Sequence, residues 1–278
     1  MFGQKIIPLD IWISTFVEWL VNNYRGIFQV IKWPVEKTLT GFDVGLNSLH
    51  PVIVILFIAV CAWKFSGWKL SIFSIVSMVF IGLMGFWENT MTTLAMVLVS
   101  VLFCGVVGVP LGIAAGRNDR VEAAIRPFLD AMQTTPSFVY LVPIVMLFSV
   151  GNVAGVLATI IFAMPPIIRL TSLGIRQVHP ELVEAALAFG ATRWQVLLKV
   201  QVPLALPTIL AGLNQTIMMA LAMVVIAALI GAGGLGSPVI LGLNTLDIGL
   251  AVTAGLSIVL LAMILDRITQ SMAGKNNQ

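Results

Sequence analysis

Long apolar runs dominate the chain, and charged residues or glycine and proline divide them into segments of near-membrane length. Seven such runs fall at about residues 50–64, 70–87, 91–115, 136–150, 152–168, 204–230 and 248–265. A bilayer core takes about 20 apolar residues of helix, and only helices and closed barrels satisfy their backbone in lipid. The runs therefore predict an all-α integral membrane protein with about seven transmembrane helices. A transmembrane barrel would alternate polar and apolar positions along each strand, and these runs do not. Those at 50–64, 136–150 and 152–168 are short for a full crossing, so one of them is expected to be re-entrant or to extend into a flanking loop.

The basic residues orient these runs. Lys64 and Lys69 lie in the first connection, Arg117, Arg120 and Arg126 in the third, Arg169, Arg176, Arg193 and Lys199 in the fifth, and Arg267 and Lys275 after the last run. The intervening connections, around Glu88-Asn89, Gly151-Asn152 and Gly231–Asp247, contain neither Lys nor Arg. Since cytoplasmic loops carry the basic excess, this alternation predicts a cytoplasmic C-terminus and an external N-terminus.

Residues 1–49 follow another period and are expected to form an external N-terminal segment ahead of a transmembrane domain at 50–278. Ile13, Phe16, Val17, Leu20, Tyr24, Ile27, Phe28 and Ile31 share one helical stripe, while Ser14, Glu18, Asn22, Arg25, Gln29 and Lys32 share the other. This is an amphipathic helix that either lies in the membrane interface, with Trp12, Trp19 and Trp33 at headgroup depth, or packs against the bundle. Asp10 and Glu18 interrupt the run and no small-residue cleavage pattern follows, which argues against a secretory signal.

Composition removes several chemistries. The 278 residues are 59% hydrophobic and 10% charged, against about 25% charged in a soluble domain. A net charge of +3, scattered along the chain, is no nucleic-acid footprint. Cys61 and Cys104 sit inside apolar runs as small hydrophobes, and His50 and His179 lack a carboxylate or cysteine at ligand spacing, so no metal site is predicted. The spans hold no paired carboxylates and no Ser/His arrangement for catalysis, and the third to sixth lack the interior Asp or Glu of a proton relay. Gly231-x-Gly233-x-x-Gly236 matches a dinucleotide fingerprint in letters only, because it ends a membrane-length run and no strand–helix alternation surrounds it. With Gly234 it reads as an external turn that lets backbones pack closely. Gly105, Gly108, Gly112 and Gly116 line one side of the third run and predict close helix packing.

The longest basic connection, residues 169–203, has its own helical grammar. Pro180 suits a first helical turn, with Glu181 and Glu184 near the positive helix end. Leu182, Ala185, Ala186 and Phe189 form an apolar face, Gly190 ends the helix, and Thr192 is placed to cap a second helix starting near Trp194. Small residues on that face permit close approach to a groove on another protein, with Glu184 as a charged contact; bracing the bundle is the alternative role. Glu184-Ala185-Ala186, then Gly190, then Val200-Gln201-Val202-Pro203 resembles the EAA signature of membrane subunits of binding-protein-dependent ABC importers, with Val where that pattern favours Ile and Leu. The stretch from Asp130 through Gln133-Thr134-Thr135-Pro136 to Tyr140 and Pro143, together with Gly231–Gly236, resembles the glycine betaine/proline/choline branch.

The resemblance implies the type I ABC importer permease fold in a bacterial cytoplasmic (inner) membrane. It implies a non-catalytic permease working as a pair of identical copies with two ABC ATPase subunits and a periplasmic or lipid-anchored binding protein. No GxxxxGK[ST] loop occurs, so ATP and Mg are expected on the partner ATPase and no cofactor on this chain. Glu181, Glu184, Ala185, Ala186, Gly190 and Pro203 are the expected ATPase-coupling residues. Gln133, Thr134, Tyr140, Asn214, Gln215, Met218 and Met219 interrupt apolar runs and are candidates either for the translocation path or for helix packing. The implied cargo is a quaternary ammonium compatible solute: glycine betaine, choline, carnitine or proline betaine. An importer of another small solute such as an amino acid shares the coupling signature, and a stand-alone secondary transporter is the reading from another class.

Overall fold

A computed structural model describes residues 8–275, so the first seven positions of the N-terminal segment lie outside the described residues. Among the described residues every regular element is helical. The helices are α1 (Leu9–Ser48), α2 (Pro51–Ser66), α3 (Trp68–Leu83), α4 (Trp87–Arg117), α5 (Asp119–Thr134), α6 (Ser137–Phe148) and α7 (Asn152–Arg176). They continue with α8 (Pro180–Ala188), α9 (Arg193–Val196), α10 (Val202–Ala227), α11 (Gly236–Thr245) and α12 (Ile248–Lys275). A π-helical turn at Leu197–Gln201 joins α9 to α10.

Four segments are long and apolar enough to cross a membrane: Trp87–Arg117, Asn152–Arg176, Arg193–Ile230 and Ile248–Met272. The runs predicted at 50–64, 70–87 and 136–150 form α2, α3 and α6, of 16, 16 and 12 residues. At 1.5 Å per residue these reach about 24, 24 and 18 Å, short of a straight crossing of about 30 Å. α6 is the second arm of a broken pair, bent by 101° from α5. The short run at 152–168 is lengthened instead, because α7 continues through Arg169 to Arg176. The first residues of the predicted 169–203 loop are thus helix, and the loop proper begins at Gln177. Charge ended the apolar run without ending the helix, since Arg169 and Arg176 find carboxylates on α5.

The core is a sandwich in which α7 lies between α4 and α10. Cβ atoms added at Gly108, Gly112 and Gly116 of α4 would fall 2.5, 2.5 and 2.9 Å from Ile167, Thr171 and Ile175 of α7. On the opposite side, Cβ atoms at Gly174 and Gly212 would lie 3.1 Å from Thr208 and 3.0 Å from Leu170. In lipid, where apolar burial between helices gains little, this backbone proximity and its dispersion energy hold the helices together. Gly105 departs from the predicted stripe, because nothing lies within 4 Å of its Cβ position. A second apolar cluster, Val54, Met78, Ile81, Met91 and Ile264, joins α2 and α3 to α4 and α12. Cys104 is buried and Cys61 half-buried, both as free thiols.

The N-terminal helix divides at Tyr24, whose backbone is non-helical (φ −119°, ψ 17°). Its second part packs against the bundle: Val35 and Leu39 are buried, Phe28 meets Phe148 edge-on at 5.7 Å, and Leu46 packs against the cluster of Val54, Met78, Ile81, Met91 and Ile264. Gly26–Ser48 therefore packs against α4, α6 and α7 and is bent by 107° from α2, a pair that together is long and apolar enough for one broken span. Before the kink, Trp12, Ile13, Phe16 and Trp19 remain exposed. Of the stripe residues beyond the kink, Phe28 packs on Phe148, whereas Ile27 and Ile31 remain exposed.

Candidate functional site

The end of the bundle that carries Arg117, Arg176 and Arg193 also carries a helical hairpin. Pro180 opens α8, where its missing N–H costs nothing. The helix closes with Gly190 N–H donating to Leu187 O (2.9 Å) and Ala191 N–H to Ala186 O (3.0 Å), the paired bonds of a left-handed C-terminal cap. Gly190 holds φ +83°, a conformation that disfavours any side chain. Thr192 and Gln195 then form a reciprocal capping box, Gln195 N–H to Thr192 Oγ1 at 3.3 Å and Thr192 N–H to Gln195 Oε1 at 2.8 Å. The chain returns to the membrane through the π turn, and Pro203 stands just beyond it, unable to donate a backbone hydrogen bond.

The hairpin is largely exposed. Glu181, Glu184, Ala185 and Gly190 are exposed, Ala186 is half-buried, and no α8 residue is fully buried. Phe189 is 94% exposed, with Leu182 and Leu187 at 46% each. Behind the hairpin lies a groove of about 580 Å³, lined on one side by Gly116, Arg117 and Arg176 and on the other by Val183, Glu184 and Leu187. The Arg117 guanidinium sits over the Trp194 ring, 5.9 Å from its centroid, linking the end of α4 to α9. Arg176 donates to Asp119 (2.7 Å), Glu122 (2.6 Å) and the Ala115 carbonyl (2.8 Å), and Arg169 pairs with Asp130 (2.6 Å). The acidic residues of the mixed-sign α5 therefore have partners on α7. The spacing of Arg169 and Arg176, two helical turns apart, was the signal for this pairing, but it does not say which helix answers them.

At the opposite end, residues 231–236 form a latch. Gly233 N–H donates to Asn152 Oδ1 (2.6 Å), Leu235 N–H to Thr93 Oγ1 (2.8 Å), and Asn89 Nδ2 to the Gly234 carbonyl (3.1 Å). Gly231 and Gly234 have φ +73° and +83°, and a Cβ on Gly234 would lie 2.5 Å from Thr93 Oγ1. A Cβ on Gly236 would approach the Val225 carbonyl to 2.8 Å. Close packing thus requires Gly233 and Gly234 against the first turns of α7 and α4, and Gly236 against the end of α10.

The polar candidates of the spans do not converge. Thr134 bonds the Asp130 carbonyl within α5, and the Tyr140 hydroxyl lies 3.1 Å from both the Met132 and Thr135 carbonyls, bracing the α5–α6 bend. Gln133 is half-buried beside that bend. Gln215 and Met218 face outward from α10, while Met219 packs on the core. Asn214 instead meets Asp266 and Thr269 of α12. Asp266 falls one residue beyond the apolar run at 248–265, and its spacing with Thr269 and Gln270 on one helical face is the sequence signal that marks it. Among the described residues no group of three or more His, Cys, Asp or Glu is arranged to hold a metal.

The matching family model is described as "Binding-protein-dependent transport system inner membrane component" and covers residues 108–275, from the glycine stripe of α4 through both halves of the hairpin to the end of α12. The chain belongs to this family of multi-pass inner-membrane permease subunits. It is 53% identical over 271 residues to the glycine betaine/proline betaine transport system permease protein ProW of Escherichia coli (strain K12), covering 98% of this chain and 77% of that one. It is 46% identical over 269 residues to the glycine betaine transport system permease protein OpuAB of Bacillus subtilis (strain 168), covering 97% and 95%. It is also 40% identical over 217 residues to the trimethylamine N-oxide transport system permease protein TmoV of Ruegeria pomeroyi, covering 78% and 33%. Among solved structures, an inward facing conformation of the MetNI methionine ABC transporter aligns with a TM-score of 0.61 at 24% identity, covering 72% of this chain and 98% of that one. That likeness carries the fold alone, an all-α helical membrane bundle.

Proposed function

We propose that this chain is the membrane-spanning subunit of an ATP-driven importer that moves quaternary ammonium compatible solutes, of the glycine betaine, proline betaine, carnitine and choline class, into the cytoplasm. The observation that carries this reading is likeness to permeases named for glycine betaine through 98% of the chain, coupling hairpin included. The chain is not itself an enzyme: a separate ABC ATPase holds ATP and Mg, and a separate binding protein delivers the solute. α8 is the lever, with Glu181, Glu184, Ala185 and Ala186 on its docking surface, Gly190 setting its angle and Pro203 following the joint into α10. Two copies of the chain match the two halves of an ATPase dimer. The arginine-bearing end and the C-terminus face the cytoplasm, and the glycine latch and α1 face outward, as the distribution of Lys and Arg supports. In this orientation the latch forms part of the platform nearest the binding protein.

The test is solute-stimulated ATP hydrolysis by the subunit reconstituted with its neighbouring ATPase and binding protein. Glycine betaine, choline, carnitine, proline, trimethylamine N-oxide and methionine are compared. Stimulation by quaternary ammonium compounds is the expected result. Stimulation by methionine or proline alone would keep the importer and overturn the cargo, and failure of the components to associate would overturn the importer in favour of a stand-alone carrier.

A further inference from the structure

One polar layer stands between α10 and α12. Asn214 Nδ2 on α10 donates to Asp266 Oδ1 on α12 at 3.2 Å, and the Thr269 hydroxyl of α12 meets Asn214 Oδ1. Gln270 Nε2, one turn after Asp266, lies 2.7 and 2.8 Å from the two carboxylate oxygens. The carboxylate thus accepts on both oxygens, and the Asn214 amide is used as donor and acceptor at once. Asn214, Asp266 and Thr269 are half-buried, flanked by the apolar Leu213, Ala262 and Leu265.

The two helices have different attachments. α10 is the continuation of the hairpin, since Arg193–Ile230 is one span and its π turn lies directly below. α12 is joined to the hairpin only indirectly, through α11 and α10. On its other side it carries α2 and α3 through Ile264, and it holds α11 closely enough that a Cβ on Gly242 would lie 2.7 Å from the Ala251 nitrogen. When α10 is displaced, apolar contacts between the helices can slide, because dispersion has little directional preference. The polar layer resists sliding, because its directional bonds hold the Asp266 carboxylate to the Asn214 amide, and a shift along the helix breaks that bond inside a half-buried site.

We infer that Asp266, acting through Asn214, is a positioning residue that makes α12, with α2, α3 and α11, move as one body with the hairpin-driven α10. This rests on the importer reading. Asp266 touches no solute in the scheme; its role is to keep the stroke of α8 from being lost as slippage between α10 and α12. The expected signature is a fall in solute moved per ATP hydrolysed, which separates transmission from simple helix adhesion. Adhesion alone would lower transport and hydrolysis together, in proportion to the complex that remains assembled.

The experiment uses the full complex in proteoliposomes, with glycine betaine uptake and ATP hydrolysis measured on the same preparation. Asp266→Ala and the gentler, isosteric Thr269→Val are compared with the exchanged pair Asn214→Asp/Asp266→Asn, which restores a carboxylate–amide contact. Asp266→Ala is expected to lower solute per ATP about tenfold, the equivalent of about 1.4 kcal/mol. Thr269→Val is expected to lower it about threefold, and the exchanged pair to return the ratio to within about twofold of the parent. An unchanged ratio in Asp266→Ala, or in Thr269→Val if the former does not assemble, overturns the inference and leaves the importer standing. A parent complex without solute-dependent uptake overturns the importer reading, and this inference with it.

Discussion

Replacing Gly190 in graded steps tests the coupling hairpin through one backbone angle. Its φ of +83° lies in the left-handed region, and nothing stands within 4 Å of the position a Cβ would take, so a substitution acts through conformation and not through collision. An L-residue other than Asn or Asp pays about 1–2 kcal/mol to hold that conformation. Gly190→Asn is therefore expected to be nearly silent, Gly190→Ala to cost about 1 kcal/mol, and the β-branched Gly190→Val about 2 kcal/mol. Proline, with φ held near −65°, cannot adopt the angle at all and also removes the 2.9 Å bond from Gly190 N–H to Leu187 O. The angle between α8 and α9 must then change, and the exposed face of α8 no longer meets its partner in register. Because about 1.4 kcal/mol is a factor of ten, the concentration of ATPase subunit needed for half-maximal solute-stimulated hydrolysis should rise about fivefold in the Ala variant. The Pro variant should show no stimulation. The assay is a titration of nanodisc-embedded permease with the ATPase at saturating binding protein and glycine betaine, with the melting temperature of the permease alone as a check on insertion. Parent-like stimulation in Gly190→Pro, or a loss in Gly190→Asn as large as in Gly190→Pro, would refute the reasoning.

Three further outcomes follow from the packing. Gly112→Leu places a side chain whose first atom is 2.5 Å from Thr171 Cβ and 2.7 Å from the Ile168 carbonyl. It should destabilise the α4–α7 contact by at least about 1–3 kcal/mol, whereas Gly105→Leu, facing open space, should stay within about 0.5 kcal/mol by thermal unfolding in detergent. Gly234→Ala combines a positive φ with a 2.5 Å approach to Thr93 Oγ1, and Thr93→Val leaves the Leu235 N–H without its acceptor. Both should loosen the latch by about 1–3 kcal/mol, read as faster amide exchange at residues 231–236 than in the parent. Arg176→Met removes contacts to Asp119, Glu122 and the Ala115 carbonyl, but the ion pairs are partly solvated and count for little, so the loss should stay near about 1 kcal/mol. The difference in melting temperature between this variant and the parent should shrink as salt is raised from low to about 1 M, because screening weakens the parent's pairs alone.

The sequence by itself determined whatever a short stretch of chain decides alone. The apolar runs fall where helices stand because a backbone in lipid has no other way to satisfy its N–H and C=O groups. The hairpin of α8 and α9 was legible in Pro180, Gly190 and the Thr192 cap, since each acts within one helical turn of itself, while the Gln195 half of the capping box came from the structure. The family motif was legible for the same reason, as it is written in a contiguous stretch. The tertiary structure alone decided every matter that depends on what stands opposite. Gly105 and Gly108 share a stripe in sequence, yet only Gly108 faces α7. Arg176 answers to Asp119, 57 residues away, and Asn214 to Asp266, 52 residues away; a charge or an amide on a helix announces a need for a partner but not its identity. The amphipathic stripe of α1 reads the same whether lipid or protein covers it, and only the tertiary structure packs Phe28 on Phe148 while Trp12, Phe16, Trp19 and Ile31 stay exposed. A helix's period is a local property of the backbone, whereas burial belongs to the neighbours that folding brings to it.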